Sequence, residues 1–296
     1  MPRVHSTCLA LVRAARPLAH ANIAPPILFG QALAYAMTGR FSWAAFVVAQ
    51  TFGVLDHLVV VLANDYADRD ADRLNASSTP FSGGSRVLPD GDLEPATVRT
   101  LAVGVAFALL VFSLAARAIA PALPWLACAA LALMFAYSYR PLRLSYRGGG
   151  ELLQGLGIGV VLPLVGLSAQ GGPLDVHTLA YLAPTFVLGV AGNVLTSIPD
   201  ENADRAANKW SPAARWGGSR ARLVSIALHV LGVALGTTLL PVSLLRVTLV
   251  LALAPQFASF ALRASTSRAS TIVFVVLGGA SESLAILGWS IALVGR

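Results

Sequence analysis

Of the 14 acidic residues in this 296-residue chain, ten fall in two stretches. The first runs Asn64-Asp65-Tyr66-Ala67-Asp68-Arg69-Asp70-Ala71-Asp72-Arg73, followed by Asp90, Asp92 and Glu94; the second is Asp200-Glu201-Asn202-Ala203-Asp204. Asp65, Asp68 and Asp72 stand at i, i+3 and i+7, so a helix turning 100° per residue gathers them within an arc of about 60° and leaves Asp70 roughly opposite. Asp200 and Asp204, at i and i+4, come about 40° apart on a helix. Like charges aligned in this way repel, so each face calls for a cation. Hard oxygen donors without His or Cys suit Mg2+, which takes one or two protein carboxylates and completes its shell with water and phosphate oxygens. Two such faces could clamp a diphosphate through two or more ions, with Asp65, Asp68, Asp72, Asp200 and Asp204 as candidate metal ligands. Either cluster alone also reads as solvated loop charge paired with Arg69, Arg73 or Arg205. Their joint occurrence favours the metal.

Lys209, close after the second cluster, is the single lysine among 21 basic residues. It suits a point charge on a phosphate oxygen, and read alone it is equally an interfacial charge. Tyr137, Tyr139 and Tyr146 form an aromatic group that could stabilise a cation by about 0.5 to 2 kcal/mol, or serve as an aromatic belt at a membrane surface.

The elements that must carry these groups are membrane helices. The chain is 56% hydrophobic and 12% charged, far from the roughly 25% charged residues of a soluble domain. A span needs about 20 apolar residues. Nine segments of about that length can be marked, at 18–38, 43–63, 96–117, 118–138, 149–169, 178–197, 221–241, 244–262 and 271–294. Lipid cannot satisfy exposed backbone groups, so the expectation is an all-α, multi-span transmembrane bundle of about nine helices. With the N-terminus in the cytoplasm, 17 of the 21 basic residues fall on the cytoplasmic side, leaving Arg40, Arg117, Arg246 and Arg296 opposite. This gives an N-in, C-out topology with both Asp clusters cytoplasmic. The net charge of +7 then reports topology and contact with anionic membrane lipids, and nucleic acid is not an expected partner. No obligatory protein partner is evident. Cys8 and Cys128 are too few and too differently placed for a disulfide framework or a zinc site. Residues 1–17 lack the pattern of a removable signal peptide.

Asn193 lies within a span, where polar groups are costly; it faces either a cavity in the bundle or a neighbouring helix through a hydrogen bond. Asp56, His57 and Glu282 lie deep in apolar segments and read as bundle-internal polar groups, with a proton relay the alternative. On a continuous helix Asp56 is about 13 Å and half a turn from Asp65, too far to share its metal.

The first cluster matches the NDxxDxxxD signature and the second the DxxxD signature of UbiA-type membrane prenyltransferases, which this chain resembles over most of its length. Arg16-Pro17, Pro25-Pro26 through Gly30, and the segment Thr79-Pro80-Phe81-Ser82-Gly83-Gly84-Ser85-Arg86-Val87-Leu88 are similar to features of that superfamily. Tyr137-Ser138-Tyr139-Arg140-Pro141-Leu142, Tyr146-Arg147-Gly148-Gly149-Gly150-Glu151 and Asp204-Arg205-Ala206-Ala207-Asn208-Lys209 resemble its menaquinone branch. Two stretches depart from that branch: Thr196-Ser197-Ile198-Pro199-Asp200 lacks its Asn pair and Arg, and Asn208-Lys209-Trp210-Ser211-Pro212 differs just after the lysine. Both bear on the acceptor more than on the metal.

The resemblance implies one transmembrane prenyltransferase domain over residues 1–296, dependent on Mg2+ and transferring a prenyl group from a polyprenyl diphosphate to an aromatic acceptor. The branch implies 1,4-dihydroxy-2-naphthoate and menaquinone biosynthesis; 4-hydroxybenzoate, homogentisate, chlorophyllide or another lipid or quinone precursor are the alternatives. Lys209, Tyr139 and Arg140 are the candidate catalytic groups, and Asn64, Arg69, Arg143, Tyr146 and Asn193 the candidate substrate-binding groups. The setting implied is a bacterial plasma membrane with the active site at its cytoplasmic face. A secondary transporter would place its ionisable site near the midplane, which the edge position of both clusters disfavours.

Overall fold

The computed structural model describes residues 2–75, 79, 83–239, 245–265 and 267–295, and the side chains of 2–6 and 245–249 fall outside that description. Pro80, Phe81 and Ser82 of the loop after the first cluster, residue 244 at the start of the eighth expected span, and Arg296 lie outside the described residues, as does the Arg246 side chain.

The described chain is helical: α1 (Pro2–Ala15), α2 (Ala24–Thr38), α3 (Trp43–Arg73), α4 (Pro95–Ala115), α5 (Leu123–Ser138), α6 (Leu144–Arg147), α7 (Gly150–Leu156), α8 (Leu162–Ala169), α9 (Val176–Ala180), α10 (Ala183–Ser197), α11 (Glu201–Ala206), α12 (Pro212–Trp216), α13 (Gly218–Leu239), α14 (Leu245–Ala261) and α15 (Arg268–Val294). Each of the nine expected segments coincides with one of these helices or with two in succession. Among the described residues, six helical stretches are long and apolar enough to cross a membrane: Trp43–Arg73, Pro95–Ala118, Gly150–Ala169, Val176–Ala206, Gly218–Leu239 and Arg268–Val294. Large apolar side chains such as Val103, Phe107, Trp125 and Ile291 point outward, as they must where the solvent is lipid. The chain is an integral membrane protein.

Proline and glycine set the departures from plain spans. The first expected span is interrupted: Pro17–Asn22 forms a 3-10 turn, and α2 restarts with Pro25 and Pro26 in its first turn, where the missing N–H groups cost nothing. The sixth begins as the short α9, and Pro184 opens the longer α10. α7 passes into α8 through a π-helical turn at Gly157–Val161.

α2 and α8 pack backbone to backbone. A Cβ on Gly30 would collide with the Pro163 carbonyl, and one on Gly166 with that of Ile27, so the close approach depends on small residues. α2 also lies against α15, α10 packs along α13 and α7, and α3 packs on α4 and α5. Phe29, Leu33, Leu188 and Trp289 form one buried cluster, and Ile27, Phe52, Leu123 and Leu162 another.

α3 is one uninterrupted helix of 31 residues. At 1.5 Å per residue it is about 46 Å long, against about 30 Å of hydrocarbon. Its apolar length therefore anchors it, and its last turns carry Asp65, Asp68, Asp70 and Asp72 outward past the apolar layer. A serine cap at Ser42, whose side chain accepts from the Ala45 N–H, fixes its start.

Candidate functional site

The helical spacing of the first cluster is realised as expected from the sequence. Asp65 and Asp68 are buried, 3% and 2% exposed, and Asp72 is half-buried. Asp70 turns away with its side chain 73% exposed, beside Arg73 and Arg69. The second cluster is built differently. Pro199 cannot donate to a helical ladder, and Ile198–Asp200 forms a 3-10 turn before α11 begins at Glu201. Asp200 and Asp204 are thus not carried by one α-helix, as the i, i+4 reading has it, yet both face the same cavity.

That cavity has a volume of about 310 Å³ and is walled by α3, α5, α7, α10 and α11. Asn64, Asp68, Asp72, Asn193, Asp200, Asp204 and Lys209 all line it. Lys209 bridges the two clusters: its Nζ donates to Asp68 Oδ2 at 2.9 Å and stands 3.7 Å from Asp204 Oδ1. Burial alone would lower the pKa of this ammonium, but the Asp68 and Asp204 carboxylates overcome that effect and hold it well above its ordinary value. Among the described residues, the buried Asp68 Oδ1 has no hydrogen-bond partner, a costly state for a carboxylate oxygen.

Asp65 is enclosed by other groups. Arg16 donates to its Oδ1, and the Ser85 N–H stands 3.2 Å from Oδ2. Arg16 reaches it because its backbone takes a left-handed conformation (φ 43°) between α1 and the 3-10 turn. Beside this pair, a Cβ on Gly84 (φ +70°) would collide with Asp72 Oδ2; the glycine lets the loop close over the Asp face. Asp200 is held from the other half of the chain: Asn75 Nδ2 donates to Oδ1 at 2.6 Å and the Gly83 N–H to Oδ2 at 3.3 Å.

The remaining candidates divide. Asn193 donates to Gln154 Oε1 at 2.8 Å and to the Tyr137 hydroxyl at 3.2 Å, so it both faces the cavity and ties three helices together. Asn64 accepts from Ser138 Oγ at 3.2 Å. Tyr146 and Arg143 do not line the cavity; Arg143 stacks 3.4 Å from the Tyr146 ring centroid, and Lys209 Nζ stands 5.6 Å from it. Burial, and after it the Asp68 carboxylate, push the Tyr146 phenol up.

Tyr139, Arg140 and Arg69 do not line the cavity. The Tyr139 hydroxyl donates to the Ala63 carbonyl at 2.8 Å and its ring stacks on Phe135. Arg140 is exposed. Arg69 bends back to the Tyr66 carbonyl and ring of its own helix. Tyr137, two residues before Tyr139, faces the cavity instead.

Arg16, Asn75 and Gln154 are cavity-lining groups absent from the candidate set. Arg16 carries a sequence signal in its pairing with Pro17; the other two carry none. Asp56 and His57 also line the cavity. His57 Nε2 donates to the Ala15 carbonyl at 2.8 Å, and its ring meets His20 edge-on. Glu282 lies nearby but outside the lining, against Gly192.

Among the described residues, no three acidic, His or Cys groups stand close enough together to form an all-protein metal cage. Mg2+ does not require one when a ligand supplies phosphate oxygens, and the orphaned Asp68 Oδ1, in the cavity that Asp72, Asp200 and Asp204 also line, fits such an ion.

A model of the UbiA prenyltransferase family matches residues 23–291. The fold is similar to that of a UbiA homolog from Archaeoglobus fulgidus bound to DMAPP and Mg2+, with a TM-score of 0.70, 17% identity, and 96% of this chain and 98% of that one covered. A UbiA homolog from Aeropyrum pernix K1 in its apo form has a TM-score of 0.62 and 19% identity over 88% of this chain and 96% of that one. A digeranylgeranylglyceryl phosphate synthase has a TM-score of 0.64 and 15% identity, with both chains covered in full. No curated protein sequence matches the chain.

Proposed function

The chain belongs to the UbiA prenyltransferase family, and from that premise we propose that it transfers a polyprenyl group from a polyprenyl diphosphate to an aromatic acceptor, by preference 1,4-dihydroxy-2-naphthoate in menaquinone biosynthesis. Residues 1–296 act as one catalytic domain, with the site at the cytoplasmic face and the N-terminus on the same side. The observation that carries this reading is the Lys209 bridge. One ammonium joins Asp68 of the first cluster to Asp204 of the second within a single cavity, so charges from both halves of the chain converge where a diphosphate would sit.

Asp68, Asp72, Asp200 and Asp204 are the residues to hold Mg2+, with Asp65 behind them. Bound there, the metal supplies charge neutralisation to the leaving diphosphate. The DMAPP and Mg2+ bound by the Archaeoglobus fulgidus homolog support a divalent metal and a prenyl diphosphate as ligands here. Lys209 exchanges its carboxylate partner for a phosphate oxygen and adds fixed positive charge where negative charge grows as the allylic C–O bond breaks. Arg16 and the Ser85 N–H hold Asp65 in place.

Loss of diphosphate leaves an allylic cation, which water must not reach before the acceptor does. The apolar wall of Val60, Leu133, Met134 and Ile158 keeps the deeper cavity dry, and the Tyr137 ring there replaces Tyr139 as the aromatic face available to the cation. The Asn193, Gln154 and Tyr137 network fixes that ring. The acceptor ring attacks through carbon and loses a proton or, for the naphthoate, carbon dioxide to restore aromaticity.

The test is an assay of purified protein with Mg2+, radiolabelled polyprenyl diphosphates and four acceptors: dihydroxynaphthoate, 4-hydroxybenzoate, homogentisate and chlorophyllide. The prenylated, decarboxylated dihydroxynaphthalene is the expected product, formed from the dihydroxynaphthoate arm. Product from another acceptor alone would correct the acceptor, and neither product nor diphosphate release across the panel would overturn the reading.

A further inference from the structure

A second cleft, about 640 Å³, lies behind the turn that carries Asp200. The two faces of that turn are divided between the cavities: Asp200 and Asp204 line the first, while Glu201 and Asn202 line the second. The second cleft is basic, with Arg220 and Arg222 of α13 and Arg268 of α15 in its wall. Its one carboxylate is already engaged: Glu201 Oε1 pairs with Arg205 at 2.9 Å and Oε2 accepts the Gly218 N–H at 2.9 Å.

Arg222 is the informative residue. It is 4% exposed, yet among the described residues its hydrogen-bond partners are neutral, the Thr271 hydroxyl at 2.6 Å and the Leu262 carbonyl at 3.4 Å, and the Phe274 ring lies against it. A guanidinium carries five N–H donors, so several remain for another acceptor. A buried positive charge without a counterion is costly, and this one opens on a cleft whose other nearby ionisable groups are mainly basic. Arg220, exposed at the mouth, and the Ser265 hydroxyl add donors of the kind that surround phosphate groups.

We propose that this cleft binds a phosphate group, with the Arg220 and Arg222 guanidiniums as its counterions. An anionic lipid headgroup and free phosphate share that chemistry.

The full-length protein in dodecyl maltoside, a detergent without phosphate, is titrated with phosphatidylglycerol in one arm and inorganic phosphate in the other. Intrinsic fluorescence reads binding, since Trp216 lies in the cleft wall. A saturable change in the lipid arm alone identifies a headgroup; a change with inorganic phosphate identifies the free anion. Arg222→Lys, which keeps the charge and loses the fork, and Arg220→Gln each weaken binding by about tenfold or more, and Lys209→Met, in the first cavity, leaves it unchanged. Arg220 is exposed, so Arg220→Gln reports on the site even where a change at Arg222 unfolds the chain. No saturable change in either arm, full binding by Arg220→Gln, or loss in Lys209→Met would overturn the proposal.

Discussion

The two acidic clusters reach one cavity by different means. The first is written into a single continuous helix, so the relative positions of Asp65, Asp68 and Asp72 follow from the pitch of α3 and require nothing else. The second sits on a 3-10 turn and a six-residue helix, elements too short to hold a geometry alone. Asp200 is held by partners far away in sequence, Asn75 and Gly83, and Asp204 by the nearby Lys209 with the distant Asp68 beyond it. One half of the site is a rigid platform, and the other is assembled by tertiary contacts. Damage to the platform should remove function outright, while damage to the tethers should loosen it.

Substitutions at four positions probe that contrast. Asp68→Asn, on the platform and in contact with Lys209, should lower kcat by roughly a thousandfold with circular dichroism unchanged; activity within tenfold of the parent would show that α3 is only a scaffold. Lys209→Met, which cuts the bridge between the halves, should lower kcat by roughly a hundredfold, and Lys209→Arg should not restore it, since a planar fork does not replace a point charge. Asn75→Ala removes a tether and should raise KM for the prenyl diphosphate about tenfold while kcat changes little, a split read from steady-state kinetics. An equal loss in kcat would place Asn75 within the chemistry. Tyr139→Phe should leave turnover within about twofold, its hydroxyl bond to Ala63 being worth about 1 kcal/mol of stability, measured as a small fall in thermal midpoint.

What could be read from the sequence divides along the same line. Helical periodicity finds the α3 face, because three carboxylates on one stripe are a local pattern, and hydropathy finds the spans for the same reason. The second cluster is misread as a helix face because Pro199 converts its first turn to 3-10 geometry. Asn75 and Gln154 give no local signal; their significance lies in partners 125 and 39 residues away. Tyr137 and Tyr139 are 200° apart on a helix, so only one can face the cavity, and the sequence does not say which side of α5 is inside. Arg16 is visible beside Pro17, but its reach to Asp65 depends on a left-handed backbone that no spacing rule foretells.

The length of α3 makes the platform answerable to the bilayer. An anchoring helix takes the tilt that matches its apolar stretch to the hydrocarbon, and a thicker membrane draws it more upright. For a rod of about 46 Å, a change from 20° of tilt to none raises the far end by about 3 Å, roughly the length of a hydrogen bond. Membrane thickness is therefore mechanically connected to the separation between the platform and its tethered counterpart.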